Sequence, residues 1–254
     1  MSSIGQQDPA VVRPRILPGA RRTLVCLGFC GGGAGAYLPW ADTLAPDTEL
    51  AVVCYPGREG RFAEEFLQDW DELAEDAVRA VGSVAAERPY VLFGHSMGGW
   101  MAFDVASRIQ DRGGPAPQAL VVSSANAPSR GLTPQDMFPS QRDSDAGLLE
   151  WMRTFGLIPA HVLGDPDLRA MAVELMRADL VVRDTFRHRG AASVGMPLQV
   201  LRGADDPVID PDTVGQWRAL ATGDYRHDVL PGGHFYTPEV WAGLPSRITA
   251  LGVV

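Results

Sequence analysis

A chain of 254 residues, 46% hydrophobic and 21% charged, is long enough for one large α/β domain with a buried core, and its ordinary composition excludes a fibrous or disordered protein. The formal net charge of -9 argues against a nucleic-acid or anionic-membrane partner. All 22 basic residues are arginine, which excludes Schiff-base and P-loop lysine chemistry.

Residues 1–22 read as a polar leader in which Arg13, Arg15, Arg21 and Arg22 leave no continuous apolar run. No later stretch approaches the ~18 apolar residues of a membrane span, so the expectation is a soluble, cytoplasmic protein. Thr23 to Phe29 is a buried strand that runs into Cys30-Gly31-Gly32-Gly33-Ala34-Gly35. As a P-loop this segment fails, because no Lys-Ser/Thr follows; as a dinucleotide fingerprint it is weakened by Tyr55-Pro56-Gly57, which ends the next strand (Leu50 to Tyr55) where a ribose-binding acid belongs. It fits best as the loop that supplies one backbone N–H of an oxyanion hole.

Pro56 to Phe62 is a turn-rich loop carrying Arg58 and Arg61, followed by a helix whose apolar stripe is Phe66, Trp70, Leu73, Ala74, Ala77, Val78 and Val81. Tyr90 to Phe93 is a strand that stops at Gly94-His95-Ser96-Met97-Gly98, and a helical pattern begins with Ala102. A serine between such a strand and helix is a nucleophile elbow, with close packing at both glycines and the helix N-terminus facing any oxyanion. Ala119 to Ser123 is a further strand. Strands alternating with helices at this spacing predict a mostly parallel, twisted sheet with helices on both faces.

The alternation breaks over 129–189, where helices are expected over Asp145 to Phe155 and in a longer segment with Asp165 as N-cap and Pro166 at N1. The longer one carries Met171, Ala172, Leu175, Met176 and Val182 on one side. This insertion is expected either to cap the serine as a lid or to form a plain extra helical layer. Pro197 to Leu201 resumes the sheet, Asp210 and Pro211 open a helix, Tyr225 to Leu230 is the last strand, and His234 lies on the glycine-rich loop beyond it.

A serine hydroxyl needs a base within reach, and the base needs a group that fixes its tautomer. Of the five histidines, His227 and His234 follow a suitable acidic loop; His227 lies within a strand, so His234 is the candidate base. His95 is expected to point away from the hydroxyl, and His188 belongs to an exposed polar run. For the acid, Gly-x-x-Asp-x-x-apolar spacing selects Asp206, anchored by Ile209, over Asp205. Cys26 and Cys54 fall in buried strands and read as reduced core thiols, while Cys30 is a poor alternative nucleophile because it is not at an elbow. No metal-ligand spacing is present.

Assembled, these residues resemble the type II thioesterases that accompany polyketide and nonribosomal peptide synthases, members of the α/β-hydrolase superfamily. The matching stretches are CLGFCGGGAGAYLPW, YPGREGRF, FGHSMGG, RGADDPV and PGGHF, in order from about residue 24 to 236. Gly28 stands where the family usually has proline and Cys30 where it usually has alanine. The resemblance implies one α/β-hydrolase domain over 23–254 with a helical lid at about 129–189. It implies Ser96 as nucleophile, His234 as base and Asp206 as orienting acid, with the backbone N–H groups of Cys30 and Met97 as oxyanion hole. The substrate implied is an acyl thioester on the phosphopantetheine arm of an acyl or peptidyl carrier protein, with no cofactor, no metal and a monomeric enzyme. Met137, Phe138, Trp151, Phe155 and Met176 are candidates for the acyl chamber. Arg58, Arg61 or the group Arg183, Arg187, Arg189 are candidates for meeting the carrier. A general carboxylesterase, or a silent binding module on the same scaffold, remains an alternative at this stage.

Overall fold

The computed structural model describes residues 8–252, so residues 1–7 of the leader lie outside the described residues. Among the described residues one sheet is built from β1 (Val11–Val12), β2 (Arg22–Leu27), β3 (Thr48–Val53), β4 (Tyr90–His95), β5 (Ala119–Ser123), β6 (Leu198–Gly203) and β7 (Tyr225–Leu230), in the order β1-β3-β2-β4-β5-β6-β7. Only β1 runs antiparallel, pairing Val11 with Val53 and Val12 with Val52, so part of the leader forms the sheet edge. The remaining neighbours are parallel.

The period of two along each strand divides the core. Val25, Leu27, Ala51, Val53, Leu92, Leu120 and Val122 face one side, and Leu24, Cys26, Leu50, Val52, Val91, Phe93 and Val121 face the other. Runs buried on both faces belong to parallel strands covered above and below. The first face is covered by α1 (Trp70–Ala85), α2 (Met97–Asp111) and α6 (Thr213–Ala219). Short 3-10 turns carrying Tyr37 and Trp40, together with the segment around α7 (Pro238–Ala242), cover the second.

Helix α1 starts later than the apolar stripe suggests. Asp69 caps it, accepting from Asp71 N at 2.8 Å, while Phe66 folds back over Gly57, where a Cβ would come within 2.3 Å of the Phe66 ring. Helix α6 is entered through Asp212 rather than Asp210, because the Asp210 carboxylate is held by Arg130 Nε at 2.8 Å and its N–H by Asn126 Oδ1 at 2.8 Å.

Between β5 and β6 lie α3 (Asp145–Thr154), α4 (Ala160–Gly164) and α5 (Pro166–Thr185), which share a separate small core of Leu148, Met152, Ile158, Val173, Met176 and Leu180. Asp165 caps α5 by accepting from Asp167 N at 2.9 Å and Leu168 N at 3.1 Å, with Pro166 in the first turn. Its buried side is Val173, Met176, Leu180 and Val182; Met171, expected on that side, is 46% exposed. Among the described residues no helix is long and apolar enough to cross a membrane.

Candidate active site

The site lies at the carboxyl edge of the parallel strands, where four strand ends deliver one group each. Ser96 follows β4 directly in a left-handed conformation (φ 53°, ψ -123°) and leads into α2. A non-glycine residue there costs about 1–3 kcal/mol, and the surroundings hold it in place. Gly94 and Gly98 make that possible: a Cβ on Gly94 would lie 1.8 Å from Gly98 O, and one on Gly98 2.4 Å from Leu27 O of the neighbouring strand. The Ser96 N–H also donates to Ser123 O at 2.8 Å, tying the turn to β5.

His234 stands beyond β7 and Asp206 beyond β6. Their loops approach so closely that a Cβ on Gly203 would meet Gly233 O at 2.1 Å. His234 Nδ1 lies 2.9 Å from Asp206 Oδ2, and Nε2 lies 3.0 Å from Ser96 Oγ. An ionised carboxylate can only accept, so the Nδ1 proton goes to Asp206 and the bare Nε2 faces the hydroxyl. Asp206 and His234 are both buried, and Asp206 Oδ1 takes the Val208 N–H at 3.0 Å. Asp205 is exposed and has no side-chain partner among the described residues.

The other histidines fall aside. His95 is fully buried with Nδ1 3.0 Å from Ser123 Oγ, its ring packed against Phe235 and Trp241, and burial holds it well below the usual histidine range. His227 is half-buried on the last strand. His188 is also half-buried, against the Phe103 ring, rather than exposed as its polar neighbours suggest.

Cys30 follows the end of β2, and Met97 opens α2. Both border the same cavity as Ser96 and His234, about 190 Å³ in volume. As the first residue of its helix Met97 has no intrahelical acceptor for its N–H, and among the described residues the Cys30 N–H donates to no carbonyl. Two unsatisfied donors beside a serine Oγ are what a tetrahedral oxyanion requires. The Cys30 side chain lies against Met97, with Sγ 3.1 Å from Sδ, and burial pushes its thiol up to about 12. It therefore stays protonated at neutral pH and is a poor nucleophile.

Of the five residues expected to line the acyl chamber, Phe138, Trp151 and Phe155 border this cavity. Met176 does not: it is fully buried in the α3–α5 core, where its Cε occupies the space a Cβ on Gly31 would need. Met137 borders a separate surface hollow near Asp184 and His188. Trp100, one turn after Ser96, lines the chamber unannounced; its helical phase relative to the serine was the available signal.

The arginine reading also needs correction. Arg58, Arg61 and Arg183 are buried, paired respectively with Asp179, with Asp76 and Glu64, and with Asp184. Arg183 additionally donates to Met137 O at 2.9 Å and Pro139 O at 3.0 Å. Arg189 is tied to Asp104 and Asp111, which leaves Arg187 as the exposed member of that group. Guanidinium groups committed to internal carboxylates are not available to a docking partner.

Comparison with known proteins gives a consistent result. Residues 22–248 match the family model described as a thioesterase domain. The chain is 35% identical over 224 residues to thioesterase PikA5 of Streptomyces venezuelae, covering 88% of this chain and 78% of that protein. It is 25% identical over 241 residues to the gramicidin S biosynthesis protein GrsT of Aneurinibacillus migulanus, covering 94% and 92%. Among solved structures it superposes on the type II thioesterase BorB of the borrelidin biosynthetic cluster with a TM-score of 0.80 and 34% identity, covering 97% of this chain and 96% of that one. The RedJ thioesterase of the prodiginine pathway in Streptomyces coelicolor gives a TM-score of 0.77 at 29% identity, covering 96% and 90%.

Proposed function

From the premise that this chain belongs to the thioesterase domain family and is a thioester hydrolase, we propose that it releases acyl groups from the phosphopantetheine arm of carrier proteins, clearing aberrant or stalled synthases of polyketide or nonribosomal peptide assembly. The observation that carries the reading is the relay of Asp206, His234 and Ser96 at 2.9 and 3.0 Å, set beside the free N–H groups of Cys30 and Met97. The relay supplies acyl transfer without a metal or cofactor, and the matched family supplies the thioester.

The mechanism follows from the geometry. As Ser96 Oγ attacks the thioester carbonyl carbon, its proton passes to His234 Nε2, and the carbonyl electron pair becomes an oxyanion facing Cys30 and Met97 N–H. Collapse of the tetrahedral adduct breaks the C–S bond, and the imidazolium returns the proton to the departing thiolate. Water then gives a proton to Nε2 as it adds to the acyl-serine; the second collapse breaks the ester C–O bond and releases the carboxylic acid, and the imidazolium returns its proton to Ser96 Oγ, restoring the hydroxyl. Asp206 holds the imidazole tautomer throughout and stabilises the imidazolium.

In this reading α3–α5 act as a lid, since Trp151 and Phe155 border the same cavity as Ser96. The enzyme acts in the cytoplasm as a monomer, with the carrier protein as partner. The test is deacylation of acetyl-, propionyl- and longer acyl-carrier proteins, followed by intact mass, beside Ser96→Ala and His234→Ala variants. Loss of acyl groups with the native protein, and a decrease of at least about 1000-fold in either variant, is expected. Cleavage of oxygen esters with no attack on the carrier thioester would leave a general carboxylesterase on the same relay.

A further inference from the structure

The Pro56-Gly57-Arg58-Glu59 segment after β3 has no part in the relay, yet it is built against the oxyanion loop. Arg58 is 6% exposed and forks onto Asp179 of α5, which is 2% exposed: Nη2 donates to Oδ1 at 2.6 Å and Nη1 to Oδ2 at 3.1 Å. The same Nη1 donates to Gly32 O at 2.9 Å. Asp179 Oδ2 also accepts the Gly31 N–H at 2.8 Å, and Glu59 Oε1 accepts the Ala34 N–H at 2.7 Å. Glu59 itself is held at φ 48°, a left-handed conformation that a glutamate rarely adopts.

The backbone being held is a tight turn. Gly32 N–H donates to Phe29 O at 2.8 Å, with Cys30 and Gly31 as its central residues and Gly31 at φ 70°, the geometry of a type II turn. Types I and II differ by a flip of the central peptide, here Cys30 C=O to Gly31 N–H. The Asp179 carboxylate accepts the Gly31 N–H and Arg58 holds the Gly32 carbonyl, so the turn is pinned on the side of Cys30 away from Phe29. A buried ion pair is weak evidence for stability and gains interest where it fixes a geometry.

We propose that Arg58, Glu59 and Asp179 are positioning residues of the oxyanion hole: they lock the Phe29–Gly32 turn so that the Cys30 N–H faces the oxygen above Ser96. Because Asp179 stands on α5, the donor is set while the α3–α5 layer is seated, which couples closure of that layer to competence of the hole. The inference rests on Cys30 N–H being an oxyanion donor, as in the mechanism above, and extends that mechanism to residues that never touch substrate.

The variant to make is Arg58→Met with Asp179→Leu. Removing both charges together leaves no unpaired buried ion. It is compared with the native protein by kcat and KM on an acyl N-acetylcysteamine thioester, by the affinity of a short alkylboronic acid, and by titration of reactive serines with a fluorophosphonate. The boronate forms a tetrahedral adduct on Ser96 and reads the hole without any thioester, so failure of the thioesterase reading leaves this arm intact. Expected is a fall of about 100-fold in kcat per titrated serine, with KM within about threefold and boronate affinity falling in parallel. A double variant with full kcat per titrated serine, or with native boronate affinity, overturns the proposal. Should the double variant unfold, Asp179→Ala, which leaves the Gly31 N–H without an acceptor, takes its place and is read by the same two criteria.

Discussion

Asp206 engages both of its carboxylate oxygens, one with His234 Nδ1 and one with Val208 N–H, whereas Asp205, one position earlier, is exposed. Asp206→Asn presents an amide that can donate to Nδ1 and so stabilises the wrong tautomer; kcat is expected to fall by about 10⁴ with KM little changed. Asp205→Ala is expected to stay within about twofold of native, and steady-state kinetics of the pair separates the two roles. This choice was legible in sequence because loop spacing counts residues from a strand end, and Gly203 and Ile209 fix both ends of the loop. The role of Arg58 was not legible. Its partner Asp179 is 121 positions away on helix α5, and nothing local distinguishes an arginine committed to an internal carboxylate from one in solvent.

Trp151 of α3 and Phe155 just after it border the cavity at the catalytic edge, so the α3–α5 layer is expected to set the substrate range. Phe155 borders both the inner cavity of about 190 Å³ and an outer groove of about 780 Å³ formed with Gly31–Gly33 and Trp241. A ~150 Å³ protein cavity admits benzene, so the inner chamber suits a short acyl group. Phe155→Ala joins the two spaces. Its kcat/KM for acyl chains of about eight carbons is expected to rise relative to propionyl by about tenfold, measured on carrier-bound or N-acetylcysteamine thioesters. Selectivity unchanged across chain length would mean that the wall lies elsewhere. Helices α3 and α5 were predictable as helices, α5 because Asp165-Pro166 states its own cap, but α4 was not, nor was the facing of α5. Met171 and Met176 differ by five positions, and which of them turns inward depends on where Gly31 leaves room. The inner strands β2 to β6 were legible because parallel strands covered on both faces must be apolar at nearly every position, whereas β1, two residues inside the polar leader and antiparallel to β3, carried no such run.

At the scale of the whole molecule, stability is expected to fall on mild acidification. His95, His188 and His227 are all held below the ordinary histidine value, each mainly by burial, and His95 additionally by the neighbouring His234. Below about pH 6.5 the unfolded chain binds protons at these sites that the native chain refuses, so the native state loses stability as pH falls. The fully buried His95, enclosed by Ser123, Phe235, Tyr236 and Trp241, contributes up to about 1.4 kcal/mol per pH unit; the half-exposed pair contribute less. Carboxylates add a second stage lower down: Glu75, held at about 2 by hydrogen bonds from Arg112 and Arg108, and Asp228, lowered by Arg226, begin to take up protons in the unfolded chain near pH 4.5. Urea midpoints measured from pH 7.5 to 5.5 should therefore decline, and a His95→Asn variant, which keeps a polar partner for Ser123 without a titrating group, should decline less steeply. Parallel slopes for the two proteins would show that His95 is not the group that couples protons to folding. The elbow histidine would then be separable from the acid response, although it lies in the same buried cluster that holds Ser96 in its strained turn.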